Sequence, residues 1–178
     1  MLNLRPITWD NYEEIIKLEI HDHQKGFVDS NERCLVKAYI DLKENGTKSF
    51  EYGIYNGDDP IGFVMMEHRS IDHPQQFDDS NPQPYYIIWE FMIDKNHQGK
   101  GLGRLALATI IEHLKTNPEG EAKSAVVLYE PDNTAVAKLY ASLGFEDTGG
   151  RSKDGDIFVQ LTLISENHDD NQAENRRL

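Results

Sequence analysis

The chain has 178 residues, of which 31 are acidic and 18 are lysine or arginine, and its formal net charge is -13. A protein that binds nucleic acid or an anionic membrane surface needs a basic face, so this charge argues against both partners and favours a cationic ligand. The one cysteine, Cys34, excludes an internal disulfide framework, and no Cys/His cluster has the spacing of a zinc site.

The two ends of the sequence predict different behaviour. The amino terminus lacks the basic start and apolar stretch of a secretion signal, and no apolar run is long enough to span a bilayer, so we expect a soluble cytoplasmic protein. Residues 165–177 are almost entirely polar and cannot bury a core, which predicts disorder. The sequence therefore predicts one folded domain over residues 1–164 and a polar tail over 165–178.

The first half of the chain predicts a strand, two helices and a hairpin. Leu2 and Leu4 alternate with polar residues as in a strand, and Pro6 fits there only near an edge or an end. Capping-box signals followed by apolar stripes indicate the two helices, and the sequence NGDD at residues 56–59 is typical of a hairpin turn. The expected helix starts are Asp10 and Asp29, with the first helix continuing to Ile20, and the expected hairpin strands are 50–55 and 61–67.

The second half is organised around one apolar run. Residues 69–84 hold three of the seven prolines and are interpreted as a surface excursion, whereas residues 85–93 are apolar on both faces except at Glu90, as in a doubly covered central strand. A glycine-rich loop, two more helices and three more strands follow. Their expected positions are a helix over 105–114, a strand over 124–130, a helix over 133–143 and strands over 145–148 and 157–163.

The resulting order of elements is β α α β β β α β α β β, without an internal repeat or a long linker. It predicts a single α/β domain of the α+β kind, with a mixed, mostly antiparallel central sheet flanked by about four helices.

Gly99, Gly101 and Gly103 stand between the central strand and the next helix. A P-loop would need serine or threonine after Lys100, and a dinucleotide-binding loop would need G-x-G-x-x-G, so both readings fail. A glycine-rich turn at a helix amino terminus still offers N–H groups and a dipole to an anion such as pyrophosphate. The alternative is a tight connection that needs the glycines only for its dihedral angles.

Two sequence patterns resemble those of a known family. The stretch QGKGLG, residues 98–103, matches the Q/R-x-x-G-x-G/A acetyl-CoA loop of GNAT-type N-acetyltransferases, and Asn133, Ala137 and residues 139–145 match N-x-x-A-x-x-L-Y-x-x-x-G-F with a one-residue shift at the alanine. The order of elements over 1–163 agrees with the same fold. Within the family, FVDSNERCLVKAYID and WEFMIDKNHQGKGLG resemble the bacterial diamine (spermine/spermidine) N-acetyltransferases.

The resemblance implies a GNAT-like domain that transfers an acetyl group from acetyl-CoA to a primary amine by direct attack in a ternary complex, without a metal. The implied acceptor is a polyamine. Another amine, such as a protein amino terminus, an aminoglycoside or a small metabolite, and a non-catalytic acyl-CoA-binding regulatory module stay open as alternatives. The oligomeric state also stays open, with a homodimer as one option.

The resemblance assigns the coenzyme to the end of the central strand, the glycine loop and the start of the last helix. Strand backbone would pair with the pantetheine arm, loop N–H groups would hold the pyrophosphate, and Asn133 would cap its helix and contact the pantetheine. Lys100 and Arg104 would add charge or be solvated cations. The expected coenzyme-binding residues are Phe91, Met92, Ile93, Gln98, Gly99, Lys100, Gly101, Leu102, Gly103, Arg104 and Asn133.

Two residues are the catalytic candidates. Tyr140 stands where the family places the tyrosine that faces the thioester sulfur, although its helical stripe alone would favour a core aromatic residue. Glu90 is the one charge in an apolar strand, and burial would raise its pKa toward a range useful for a general base. It could instead attract an ammonium group or form a salt bridge. The diamine subgroup commonly has arginine at this position, so the identity of the base stays open.

The acceptor pocket needs spaced carboxylates and aromatic faces, because a primary amine with a pKa of about 10.4 arrives as a cation. Each of its candidate residues could also be an ordinary surface or core residue. His21 and His23 lack further metal ligands, and Cys34 lies on a helix stripe where a core role is expected. The candidates for substrate binding are Asp22, Phe27, Asp29, Glu67 and Trp89.

Overall fold

A computed structural model describes residues 1–70 and 83–163. The predicted tail lies outside the described residues, as does most of the predicted surface excursion. The strands are β1 (Leu2–Pro6), β2 (Ser49–Asn56), β3 (Asp59–Arg69), β4 (Tyr85–Ile93), β5 (Ser124–Tyr129), β6 (Glu146–Arg151) and β7 (Ile157–Thr162). The α-helices are α1 (Tyr12–Ile15), α2 (Asn31–Glu44), α3 (Leu102–Lys115) and α4 (Thr134–Ala141), and a short 3-10 helix spans Asp22–Gln24.

The strands form one seven-stranded sheet in the order β1-β2-β3-β4-β5-β7-β6. Only the neighbours β4 and β5 run parallel, and every other pair is antiparallel. The parallel pair is connected through a helix, α3, since parallel neighbours need a long crossover. The α+β class, the mixed and mostly antiparallel sheet and the order of the elements are therefore confirmed.

The starts of the first two helices differ from the prediction by one residue. Asn11, rather than Asp10, precedes α1, and its side-chain oxygen accepts the Thr8 N–H at 2.7 Å. The helix α1 ends at Ile15 instead of continuing to Ile20. Ser30 caps α2 by accepting the Arg33 N–H at 3.3 Å, because the Asp29 carboxylate pairs with side chains of the same helix instead.

The core lies on both faces of the sheet. On one face, α3 buries Leu107, Ile110 and Leu114 in a cluster that also contains Tyr140 of α4. On the other face, Ile15 of α1 and Cys34 of α2 pack in a separate cluster with residues of β2, β3 and β4. Cys34 is fully buried, as its place on the helical stripe predicts. Among the described helices, none combines the length and the apolar character needed to cross a membrane.

The parallel strands separate halfway along β4. Residues 85–88 pair with 124–127, and beyond Ile88 and Val127 the two strands form no ladder with each other. The rest of β4 still pairs with β3, and the rest of β5 still pairs with β7. The sheet therefore opens between two strands that are each held from the outer side.

Candidate functional site

A cleft of about 400 Å³ occupies this opening between β4 and β5. One wall is formed by the end of β4 and the start of α3, and the other by the end of β5 and the start of α4. The loop between α1 and α2 closes one side, where Gln24 and Phe27 line the cleft. The edges of β4 and β5 that face each other across this cleft are unpaired. Their backbone groups are available to an extended ligand, as those of an edge strand are.

The glycine loop at one end of the cleft has free backbone donors. Within the described residues, no backbone N–H from Gln98 to Arg104 donates a hydrogen bond, and the first to do so is that of Leu105, to the Gly101 carbonyl at 3.4 Å. Gly99 and Gly101 have φ angles of 73° and 74°, which residues with a Cβ rarely adopt. These consecutive donors at the amino end of the 14-residue α3 fit a diphosphate group.

The side chains around this loop are engaged as follows. Lys100 Nζ donates to the Asn96 carbonyl at 2.7 Å, and Arg104 donates to the Ser142 carbonyl at 3.4 Å. Both cations are exposed, so either can still turn toward a bound anion. Asn133 lines the cleft and caps α4, where its oxygen accepts the Val136 N–H at 3.3 Å.

Tyr140 of α4 lies at the cleft, where it is 5 % exposed. Its ring packs against Tyr129 and Phe145, with centroid distances of 5.9 and 5.4 Å. Burial, followed by the charge of Glu90, raises the pKa of Tyr140 above that of an ordinary phenol. The hydroxyl consequently keeps its proton at neutral pH and can donate it in a hydrogen bond.

Glu90 is half-buried between the cleft residues Trp89 and Phe91, and its own carboxylate is turned toward α2. Burial and then the neighbouring charge of Asp29 raise the pKa of Glu90 to about 7, against the opposing effects of Lys37 and the Asp29 N–H. Glu90 in turn helps to raise the pKa of Cys34 to about 12, mainly a result of burial, so that thiol stays protonated. Of Tyr140, Cys34 and Glu90, only Glu90 has a pKa near neutral pH.

Trp89 forms a bulge in β4. Met65 pairs with Glu90 but Met66 pairs with Ile88, which leaves Trp89 as the extra residue. Bulges redirect side chains. Trp89 and Glu90 therefore do not follow the regular alternation in which neighbouring side chains of a strand point to opposite faces. The Trp89 Nε1–H donates to Glu67 Oε2 at 2.8 Å.

Glu67 is therefore a support of the bulge. Its other carboxylate oxygen, Oε1, pairs with Arg69 Nε at 2.7 Å, and the side chains of both residues are about 5 % exposed or less. A buried carboxylate is stable only with such partners. The structure places Glu67 beside Trp89 but not on the wall of the cleft.

The remaining acceptor candidates separate into two groups. Phe27 and Trp89 line the cleft, and Asp29 lies beside Glu90 with a side chain that is 27 % exposed and pairs with Arg33 and Lys37. Asp22 instead points to solvent and pairs with Lys25 at 2.6 Å, so the structure does not bring it into the cleft.

His21 and His23 stack on each other at 5.6 Å. In the part of the chain that the structure describes, no group of three or more His, Cys, Asp or Glu residues could hold a metal ion.

The cleft residues that were not predicted from the sequence include Gln24, Leu128 and Tyr129. Leu128 and Tyr129 end a strand that was expected to be buried, and the signal that could have identified them is the resemblance, which places the coenzyme against the neighbouring strand. Gln24 carries no local signal, because its role depends on contact with Gln98, which lies 74 residues further along the chain.

Comparisons with known proteins agree with this geometry. The profile of the acetyltransferase (GNAT) family matches residues 6–145. The chain belongs to the GNAT family of acetyltransferases. It is therefore an acetyl-CoA-dependent N-acetyltransferase, and the cleft with its free loop amides is the place that fits the coenzyme.

Individual relatives narrow the comparison. A probable spermine N(1)-acetyltransferase from Bacillus subtilis subsp. natto is 28% identical over 152 residues, which cover 83% of this chain and 90% of the relative. A spermine/spermidine N(1)-acetyltransferase from Bacillus subtilis is 27% identical over the same length and coverage. The resemblance to polyamine N-acetyltransferases is thus confirmed as a resemblance.

Solved structures share the fold. An aminoglycoside acetyltransferase in complex with coenzyme A has a TM-score of 0.71 at 18% identity, covering 91% of this chain and 95% of that one. A spermidine N-acetyltransferase from Vibrio cholerae, in complex with CoA and spermine, has a TM-score of 0.64 at 15% identity, with the same coverage. These identities support the fold and do not choose between acceptors.

Proposed function

We propose that this acetyltransferase acetylates a primary amino group of a polyamine such as spermidine or spermine. The observation that carries the proposal is the pair of neighbouring carboxylates on the acceptor side of β4, Asp29 and Glu90, of which Glu90 is near enough to Tyr140 to raise its pKa. Two neighbouring carboxylates suit a substrate that carries more than one positive charge. The relatives named as spermine and spermidine acetyltransferases support the same substrate class.

In the proposed reaction, Glu90 accepts a proton from the ammonium group of the substrate. A carboxylate with a pKa of about 7 is half ionised near neutral pH, which is the range in which a general base is most useful. The transfer is direct or through one water molecule. The free amine then attacks the thioester carbonyl, and the C–S bond breaks as the new C–N bond forms.

Tyr140 is the proposed acid for the departing thiolate. Its raised pKa keeps the phenol protonated until the thiolate develops, and the proton then moves from the phenol oxygen to the sulfur. The attacking nitrogen loses a second proton as the amide forms, and this proton returns through solvent to the Tyr140 oxygen. Glu90 releases its own proton to solvent, so both residues return to their starting states. The products are the acetylated amine and CoA.

The coenzyme is proposed to follow the open edge of β4. Phe91, Met92 and Ile93 supply backbone groups for the pantetheine arm, and the free amides from Gln98 to Arg104 hold the diphosphate. Asn133 contributes from α4. Phe27 and Trp89 supply the aromatic faces that border the acceptor.

Turnover with a panel of amines tests the proposal. Purified protein is incubated with acetyl-CoA and with spermidine, spermine, a monoamine of similar length, an aminoglycoside and a peptide amino terminus. We expect kcat/KM to be highest for the polyamines. Turnover of another amine in the absence of polyamine turnover would overturn the proposed acceptor, and coenzyme binding without turnover of any amine would favour a regulatory acyl-CoA-binding module.

A further inference from the structure

The loop that precedes α2 is joined to the loop that follows β4 at two separate places. At the first place, Asp94 Oδ2 accepts the Glu19 N–H at 2.9 Å, and the Lys95 N–H donates to the Glu19 carbonyl at 2.7 Å. Burial alone would raise the pKa of Asp94, but hydrogen bonds from the Glu19 and Asn96 amides outweigh burial and lower it. Asp94 therefore stays ionised at neutral pH, and its carboxylate remains an acceptor for the Glu19 N–H.

The second connection is a pair of glutamine side chains, which we name the Gln24–Gln98 bridge. Gln98 Nε2 donates to Gln24 Oε1 at 2.9 Å and to the Ile93 carbonyl at 2.8 Å. Gln24 Oε1 also accepts the His21 N–H at 3.1 Å. Because two N–H donors converge on one atom of Gln24, the network itself assigns that atom as oxygen.

Gln98 is also the first residue of the glycine loop whose backbone donors are free. A diphosphate bound by those donors restricts the loop, and the restriction includes the residue that carries one half of the bridge. Gln24 and Gln98 both line the cleft, so the bridge connects the glycine loop with residues 21–29.

The segment from Gln24 to Asp29 leads from the bridge to the proposed base, Glu90. The Gln24 carbonyl accepts the Phe27 N–H at 2.9 Å, and Phe27 lines the cleft. Two residues later, the Asp29 N–H lies beside the Glu90 carboxylate and favours its ionised form. The orientation of Gln24 therefore bears on both the aromatic wall and the carboxylates of the acceptor side.

We propose that Gln24 is a positioning residue that makes acceptor binding depend on bound coenzyme. Bound acetyl-CoA restricts the glycine loop, and the Gln24–Gln98 bridge then restricts residues 21–29 as well. The acceptor therefore binds to a cleft wall that is already ordered. Affinity coupling is reciprocal, so the acceptor also increases the affinity for coenzyme. The identity of the acceptor in this inference rests on the proposed function, but the coupling of the two loops does not.

Two variants of Gln24 separate the bridge from the bulk of the side chain. Gln24→Leu keeps the size but removes the acceptor oxygen, whereas Gln24→Glu keeps an oxygen that can accept from both His21 and Gln98. Amide hydrogen exchange with and without CoA gives a readout that needs no acceptor. In the wild type and Gln24→Glu, we expect CoA to protect both residues 98–104 and residues 21–29. In Gln24→Leu, we expect protection of 98–104 alone.

Equal CoA-dependent protection of residues 21–29 in Gln24→Leu would overturn the inference, and so would an absence of that protection in the wild type. Thermal unfolding of both variants identifies a general loss of structure, which the protection of 98–104 by CoA also reports. These outcomes hold whichever amine is the substrate, so they are distinct from a failure of the proposed function, which is a lack of polyamine turnover by the wild type.

Steady-state kinetics supply the second readout. We expect Gln24→Leu to raise the KM of the acceptor about tenfold, with a small change in kcat, and Gln24→Glu to restore it. In a Gln98→Leu background, where the bridge is already absent, Gln24→Leu should raise KM by less than about twofold. Independent effects of the two substitutions that simply multiply would contradict a role for the bridge.

Discussion

The main-chain N–H of Asp29 lies beside the carboxylate of Glu90 and favours its ionised form. This contact joins the residue just before α2 to the middle of the central strand, and the Asp29 carboxylate is brought near a second carboxylate at the same time. The amide favours ionised Glu90, while the Asp29 charge and burial oppose it. The net result of these opposing effects is that Glu90 changes its charge around neutral pH.

Substitution of Glu90 tests its assignment as the base. With spermidine as acceptor, we expect kcat/KM of the wild type to rise with pH up to about 7 and then level off, because only ionised Glu90 accepts a proton. Glu90→Gln should lower kcat/KM about 100-fold and remove this acidic limb. Glu51 is a matched control, since burial also raises its pKa but its charged neighbour is Lys48, whereas Glu90 neighbours Asp29 and Tyr140. A Glu90→Gln enzyme with the wild-type pH profile would contradict the assignment.

The same substitution has an effect on stability that does not depend on catalysis. An acid whose pKa is higher in the folded than in the unfolded chain favours folding in its neutral form, so its contribution falls as pH rises from the ordinary value of 4.5 to about 7. Glu90→Gln should therefore be more stable than the wild type at pH 8, on the order of 2 kcal/mol, and equally stable near pH 4.5. Urea unfolding at both pH values measures the difference. A difference that does not change with pH would exclude this origin.

Removal of the Tyr140 hydroxyl tests the proposed acid. Tyr140→Phe keeps the ring that packs against Tyr129 and Phe145, so we expect the melting temperature to change little. The leaving thiolate loses its proton donor, and kcat should fall about 100-fold while the Kd for CoA changes by less than about threefold. Tyr52→Phe, on β2 and outside the cleft, is the control for a loss of phenol. An unchanged kcat in Tyr140→Phe would leave Tyr140 as a core aromatic residue.

Much of this site was predictable because its elements are encoded by local patterns. The bounds of β4 agree with the predicted residues 85–93, since an apolar run with one charge is the pattern of a central strand. The free backbone N–H groups of the glycine loop were also predictable, since the glycines and the helix start are adjacent in the sequence, and the anion that they would hold stays a prediction.

Features that depend on distant contacts were not predictable in the same way. Glu67 is buried because Arg69 and Trp89 both reach it, and the pairing with Trp89 depends on a bulge that no local pattern encodes. The one-residue difference at the start of α2 has a similar cause, since Asp29 and Ser30 are both good capping residues. The ion pairs of Asp29 with α2 decide between them.

Backbone conformation in the glycine loop gives a prediction with a closely matched control. Gly101 has φ 74° and Gly46 has φ 69°, and an added Cβ meets no heavy atom within 4 Å at either position. Gly101→Ala and Gly46→Ala should therefore each cost about 1 kcal/mol of folding free energy through strain alone. Only Gly101→Ala should also raise the Kd for CoA, by about tenfold, because the strain reorients the free amides. Calorimetric titration with CoA compares them, and equal Kd values would show that the loop conformation is not needed.

Asp29 and Asp22 are two carboxylates of one loop that the structure places differently. Asp29→Asn keeps the backbone N–H that lies beside Glu90 but removes the charge, so we expect the KM for spermidine to rise about tenfold and the KM for a monoamine to change little. Because the Asp29 charge raises the pKa of Glu90, the acidic limb of kcat/KM should also move to lower pH. Asp22→Asn, at an exposed position that pairs only with Lys25 among the described residues, should change neither quantity.

The two effects of Asp29→Asn have to occur together. A charge that contacts the distal ammonium of a polyamine affects only substrates with a second positive charge, whereas a charge near Glu90 affects the pH profile with every amine. A higher KM for monoamine and polyamine alike would indicate that the substitution disturbs α2 through Arg33 and Lys37. Circular dichroism and thermal unfolding of the variant identify that disturbance. An unchanged pH profile would mean that Asp29 lies too far from Glu90, in solution, for the two carboxylates to act as one site.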